Sequence, residues 1–230
     1  TRLIELAPLH QPPALDALAA CRAARPDLVQ VACFDTAFHA TLPEAARTYA
    51  LPERLRATVR VYGFHGLSYE YISGRLMEVS PALARGRVIV AHLGSGASLC
   101  ALQGGHGIAT TTGFSALDGL VMATRCGSLD PGIILYLGRQ GHSFADIEDM
   151  LYRRSGLLGV SGISSDVRVL LASEDAHACE AIELFTYRIA GEAAALISAL
   201  GGLDGLVFTA GIGEHAPAIR AAVCARLAWF

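Results

Sequence analysis

The segment RVIVAHLGSGASLCALQGG, from Arg87 to Gly105, constrains the fold most, because two runs of strand formers are joined by Gly94-Ser95-Gly96 with no room for a helix between them. Val88-Ile89-Val90 and Leu99-Cys100-Ala101-Leu102 therefore pair as an antiparallel hairpin. Its glycines permit positive φ, and its turn N–H groups can cradle an anion such as a phosphate. An ordinary tight turn has the same pattern, so the hairpin alone leaves both readings open. A P-loop or dinucleotide fingerprint runs from a strand into a helix, and a P-loop needs a lysine. All 18 basic residues here are arginines. A cation serving phosphate is therefore a guanidinium or a metal, and Schiff-base chemistry through lysine is excluded.

A second glycine segment strengthens the phosphate reading. In Leu206-Val207-Phe208-Thr209-Ala210-Gly211-Ile212-Gly213-Glu214 a short apolar strand runs into glycines, and a helix is expected to begin near Glu214 to Pro217. Helix N-termini attract anions. Two glycine turns closing two strands fit the two sides of a nucleotide cleft.

At 230 residues the chain has room for one large domain, or for one domain with part of another. Hydrophobic content of 53% with 17% charged residues indicates a buried core, and a net charge of −3 gives no general attraction to nucleic acid or membranes. No uncharged eighteen-residue apolar span is present, so a membrane partner is not expected. The six cysteines form no CxxC pair and several lie in apolar runs, the usage expected of a cytoplasmic protein. The opening TRLIELAPLH lacks Met and a signal pattern, and the chain closes on Trp229-Phe230 within a helical pattern, so both ends read as cut.

The organisation reads as α/β. Ala14 to Ala24 predicts a helix and Leu28 to Phe34 a buried strand ending at Asp35. Pro43 and Pro52 break the stretch from Leu42 to Arg60 into short pieces, and Tyr69 to Val79 predicts another helix. Ser143 with Asp146 forms a capping-box start, with Gly156 expected as the stop. Ile182, Phe185, Ile189, Ala193, Leu196 and Leu200 predict a long helix stopped by Gly201-Gly202.

Three polar groups stand out. Asp35 sits at a strand end from which a carboxylate can enter a cleft, or can cap the next helix. His65 lies between glycines and aromatics in Tyr62-Gly63-Phe64-His65-Gly66, and Arg125 and Asp130 flank Gly127. Singly, each also reads as a loop or surface residue.

In order, the strings APLHQPP, FDTAFHATLP, YGFHGLSYEYI, AHLGSGASL, GFSALDGLVMATRCGSLDP, SGLLGVSGISSDVR and VFTAGIGEH resemble the acetokinase family over practically the whole chain. The resemblance implies the actin-like ATPase (ribonuclease H-like) fold. It also implies reversible transfer of the ATP γ-phosphoryl group to acetate, giving acetyl phosphate and ADP, with Mg²⁺ or Mn²⁺ and usually as a homodimer. Carried over by position, Arg125 binds the acyl carboxylate and the transferring phosphoryl group, and His65 donates to the phosphoryl oxygens. His10 supports them, while Asp35 helps hold Mg²⁺ and orients Arg125. Leu9, Phe64 and Ala116 line the acyl pocket. His92, Gly94, Ser95 and Gly96 lie on the phosphates, and Asp166, Val167, Arg168, Gly211, Ile212, Gly213 and His215 surround the adenosine. His10, His39, His65 and His92 lack the spacing of a zinc site.

Gln11, Ser95, Val167 and His215 depart from the family's usual residues, which bears on nucleotide affinity and base preference. Ala116 stands where many members carry proline, implying a wider acyl pocket. The family's N-terminal phosphate turn with its lysine, an early arginine and a C-terminal acidic segment have no counterpart here. Residues 1–38 then read as the remnant of the N-terminal domain, and 39–230 as the nucleotide-binding second domain, C-terminally incomplete. A propionate or butyrate kinase, or a nucleotide-binding fragment without phosphotransfer, are the alternatives. For the isolated 230-residue chain, little or no phosphotransfer is expected.

Overall fold

The computed structural model describes residues 11–230. From the amino end come α1 (Gln11–Ala24), a 3₁₀ turn (Ala37–Thr41), α2 (Glu44–Arg47), a second 3₁₀ turn (Glu53–Leu55), α3 (Gly66–Val79) and α4 (Pro81–Ala84). A meander follows, β1 (Arg87–Leu93), β2 (Ala97–Gln103) and β3 (His106–Thr110). Then come α5 (Pro131–Arg139), α6 (Phe144–Arg153), α7 (Gly156–Ser161), α8 (Val167–Leu171) and α9 (Ala176–Leu200). The chain closes with β4 (Gly205–Thr209), α10 (Ala210–His215) and α11 (Pro217–Arg226).

The four strands form one sheet in the order β3-β2-β1-β4. β1 and β2 are antiparallel with Leu93 opposite Ala97, and β4 runs parallel to β1 with His92 opposite Thr209. Both the hairpin turn after Leu93 and the segment after Thr209 therefore leave the sheet at the same end, which is where the parallel pair of an α/β sheet presents a ligand site.

Alternation along the strands sends their two sets of side chains to different partners. Ile89, Ala91, Leu93, Leu99 and Ala101 pack with Phe185, Ile189, Ala193 and Leu196 of α9. Val88, Val90, Cys100 and Leu102 meet Tyr69 and Leu76 of α3 and Ala84 of α4, with Phe38 packed alongside. Burying one large side chain such as Phe185 or Tyr69 is worth roughly 1.5–3 kcal/mol relative to exposure, so both faces hold the sheet.

Three expectations require correction. Residues 28–34 form no strand: Leu28, Val31 and Phe34 are exposed and Val29 is 84% exposed. β-propensity becomes a strand only against a hydrogen-bonding partner, and among the described residues none pairs with this segment. Gly156 does not stop α6, which ends at Arg153; with φ +64° it begins α7, where a Cβ would lie 2.2 Å from the Met122 carbonyl oxygen. Gly211 and Gly213 lie inside α10, which starts at Ala210 with no turn ahead of Glu214. The capping box at Ser143 and the left-handed stop at Gly201 after α9 match their sequence signals.

Candidate active site

The turn after β1 is tight. Gly94 N–H donates to the Gly96 carbonyl at 3.0 Å, which leaves Ser95 and Gly96 as the residues whose N–H groups have no backbone acceptor among the described residues. The Ser95 carbonyl accepts from Ala123 N–H at 3.1 Å, tying the tip to the loop that carries Arg125. Neither Gly94 nor Gly96 uses the positive φ that glycine permits. Gly96 is required for close approach instead: a Cβ there would lie 2.7 Å from Arg125 Nη2 and 3.1 Å from His65 Nε2. A Cβ on Gly94 would lie 3.6 Å from the Ala210 Cβ, and one on Gly213 would lie 3.5 Å from the Ala91 carbonyl oxygen. The two glycine segments are thus side by side.

His65 caps α3 from the left-handed region, at φ 59° and ψ 23°. Its N–H donates to Asp35 Oδ2 at 2.6 Å, and Leu67 N–H donates to Oδ1 at 3.2 Å. One carboxylate thereby satisfies two of the orphan donors at the head of α3. The following Gly66 is just as constrained, since a Cβ would fall 2.0 Å from the Asp35 carbonyl oxygen. The His65 ring stacks on His92, centroids 4.2 Å apart and planes 16° apart. Its Nδ1 lies 2.7 Å from Ser98 Oγ, which also bonds the Tyr69 hydroxyl. His92 Nδ1 is 2.9 Å from Ser68 Oγ, and burial holds His92 below the usual histidine range despite the opposing pull of Asp35. Behind them His39 is buried and donates from Nε2 to the Phe64 carbonyl at 3.0 Å, and its Nδ1 has no partner among the described residues; burial likewise lowers its pKa.

Arg125 is 8% exposed. Its Nη1 donates to the carbonyl of buried Ala116 at 2.5 Å, and its own carbonyl accepts from Met122 N–H at 3.1 Å. Burial lowers its pKa from the arginine norm, yet a guanidinium stays charged. Phe64 N–H donates to Thr112 Oγ1 at 2.9 Å, fixing the residue before His65. Asp35, Phe64, His65, His92, Gly94, Ser95, Gly96, Ala116 and Arg125 are therefore drawn together by direct contacts. Leu9 and His10 lie outside the described residues.

The adenosine candidates divide. Gly211 has open space where a Cβ would be, Ile212 packs on the core and His215 is exposed. Asp166 caps α8 through Arg168 N–H at 2.9 Å and pairs with the exposed Arg168 guanidinium, which pulls its carboxyl down to about 2. Val167 is 3% exposed and belongs to the core.

Among the described residues no group of three or more His, Cys, Asp or Glu could hold a metal ion. Asp35 belongs to no such group, and each of its oxygens spends one acceptor position on a main-chain N–H and keeps another. That suits a cation held mainly by phosphates and water, as Mg²⁺ is. The sequence reading missed Ser98, Tyr69 and Arg220. Ser98 shares its strand face with Cys100, a hint that alternation carries. Arg220 closes α10 by donating from Nη1 to the carbonyls of Gly213 at 2.9 Å and Glu214 at 2.7 Å, a tertiary contact with no local sequence signal.

The family model of the acetokinase family matches residues 1–230. An acetate kinase of Rhodopseudomonas palustris strain TIE-1 is 63% identical over 227 residues, 97% of this chain and 57% of its own length. One from Nitrobacter hamburgensis is 55% identical over 230 residues and is likewise covered to 57%. The chain thus spans somewhat more than half the length of these curated relatives. Among solved structures, a propionate kinase from Francisella tularensis superposes with a TM-score of 0.93 at 42% identity, covering 99% of this chain and 60% of that one. Acetate kinase from Entamoeba histolytica gives 0.92 at 36% identity, covering 99% and 61%. The α/β architecture is the actin-like ATPase fold of these kinases. With a family match along its whole length, the chain belongs to the acetokinase family.

Proposed function

We propose that the protein carrying this chain transfers the γ-phosphoryl group of ATP reversibly to acetate, giving acetyl phosphate and ADP. The observation that carries the reading is the convergence of Arg125 Nη2 and His65 Nε2 on Gly96, beside a turn with two available N–H donors. Acetate is ionised at neutral pH, so its oxygen attacks the γ-phosphorus without a general base while the bond to the bridging oxygen of ADP breaks. Catalysis then reduces to positioning and charge neutralisation. Arg125 binds the acetate carboxylate and an equatorial phosphoryl oxygen through its fork. His65 donates to the phosphoryl group, Ser95 and Gly96 donate N–H to the phosphates, and the α10 side at Gly211 receives the adenosine. Asp35 would hold Mg²⁺ or Mn²⁺, which would supply charge neutralisation at the phosphate oxygens.

Residues 39–230 serve as the nucleotide-binding second domain and 1–38 as the end of the first. The protein works in the cytoplasm as a homodimer on small molecules; family resemblance supports the homodimer, and unpaired cysteines fit a reducing compartment. Ala116, smaller than proline, favours a second reading in which propionate or butyrate is also accepted.

Acyl-hydroxamate formation by the intact protein, with ATP, Mg²⁺ and acetate, propionate or butyrate in parallel, tests this. Acetate is expected to give the highest kcat/KM. Higher values with the longer acids would assign the second reading, and nucleotide binding without hydroxamate would leave a binding module.

A further inference from the structure

We propose that Tyr69 and Ser98 are positioning residues, a buried hydroxyl relay that fixes the orientation of His65 and keeps its proton on Nε2, the nitrogen facing Gly96 and Arg125. The inference rests on the phosphoryl-transfer reading of that site. Tyr69 and Ser98 are both fully buried, and among the described residues the Tyr69 hydroxyl has Ser98 Oγ as its hydrogen-bond partner. Ser98 Oγ in turn lies 2.7 Å from His65 Nδ1.

Donor counting sets the direction. A serine hydroxyl has one proton and can accept twice; a phenol is the better donor and poorer acceptor. If His65 Nδ1 carried the proton, it would donate to Ser98, and one hydroxyl proton would be left over: the phenolic one if Ser98 donated to Tyr69, or the serine one if Tyr69 also donated to Ser98, with no further acceptor for it in the relay. A buried donor without an acceptor costs about 1–3 kcal/mol. In the opposite direction Tyr69 donates to Ser98, Ser98 donates to Nδ1, and every proton of the chain is placed. Burial pushes the Tyr69 phenol well above its usual pKa, so it keeps the proton it donates. Nε2–H is thereby aimed at the side of the site where a Cβ on Gly96 would meet it at 3.1 Å. His92, stacked on the His65 ring with centroids 4.2 Å apart, adds a packing restraint on its orientation. The hydroxyls never touch substrate; they act through the imidazole, as outer partners do for ligating histidines.

The test is nitrogen NMR of the intact, nucleotide-free protein at pH 8, with the His65 imidazole assigned through a His65→Gln sample, beside steady-state kinetics of Tyr69→Phe and Ser98→Ala. The expected result is a protonated Nε2 and an unprotonated, hydrogen-bonded Nδ1. Ser98→Ala should then show the second tautomer or exchange broadening, with kcat about tenfold lower and both KM values within about twofold. Tyr69→Phe should show the same changes more weakly. A wild-type Nδ1 proton overturns the relay even if neither variant folds. So does a fall in kcat with an unchanged imidazole spectrum, because lost packing alone would produce that, and so do folded variants with wild-type spectrum and rate. The tautomer is read without turnover. A protein with the expected spectrum but no phosphotransfer would therefore sink the kinase reading and leave the relay standing.

Discussion

Asp35 and His65, thirty residues apart, are joined through the main chain: the Asp35 carboxylate accepts the His65 N–H at 2.6 Å and thereby holds the histidine in its left-handed conformation at the head of α3. The side chain proposed to touch Mg²⁺ is also the cap that aims the proposed phosphoryl donor.

That double duty predicts separable effects. Asp35→Ala should lower unfolding free energy by about 1 kcal/mol, the usual cost of a lost helix cap. Asp35→Asn keeps one carbonyl acceptor and should lose less stability, yet it should raise the Mg²⁺ concentration for half-maximal rate several-fold. An unchanged magnesium titration in the asparagine variant would make Asp35 a cap alone.

Gly96→Ala should separate activity from folding. The added methyl meets the far end of Arg125, which can swing aside, so the midpoint of thermal unfolding should move little. Displacing the guanidinium and crowding His65 should lower kcat by at least about tenfold, since misplacement on this scale can cost more. Wild-type turnover in this variant would remove Gly96 from the site.

Arg125→Lys retains a charge but loses the fork, and its ammonium cannot hold the Ala116 carbonyl, an acyl oxygen and a phosphoryl oxygen in one plane. Loss of about 3 kcal/mol of transition-state stabilisation corresponds to roughly a hundredfold in kcat. Turnover within a fewfold of wild type would contradict the role given to Arg125.

Acid should destabilise the fold through buried His39 and half-buried His92. Burial lowers the pKa of both His39 and His92, so each is neutral when folded and takes up a proton on unfolding below about pH 6.5. The unfolded state then binds more protons, and stability is lost as pH falls through 6.5 toward the folded pKa values. The slope can reach about 1.4 kcal/mol per pH unit for each histidine. Denaturant unfolding between pH 7 and 5.5 should show the decline, with a shallower slope in His39→Gln. A flat profile in the wild type would mean that both rings protonate without opening the structure.

Where the sequence was legible, the signals were local. The Arg87–Gly105 hairpin, the Ser143 box and the apolar stripe of α9 are spelled by neighbours in the chain, and each is present. The site residues were legible through motif resemblance, which brought His65, Arg125 and the glycine turn to notice but not the reason for their arrangement. Gly96 is glycine because two cationic or polar tips approach it from α3 and from the 120s loop, and no local pattern encodes that. Residues 28–34 have the composition of a strand, but a strand is decided by its partner. The motif position of Val167 says nothing of its burial, whereas the register of α8 sets its side chain in the core cluster with Leu170.

The most direct test of the central claim is a crystal structure of the intact protein with a non-hydrolysable ATP analogue, Mg²⁺ and acetate. The account predicts β- and γ-phosphate oxygens within hydrogen-bond distance of the Ser95 and Gly96 N–H groups, the γ-phosphoryl group between His65 Nε2 and the Arg125 guanidinium, and the adenosine along α10. Triphosphate bound elsewhere, with His65 and Arg125 turned away from it, would contradict the account.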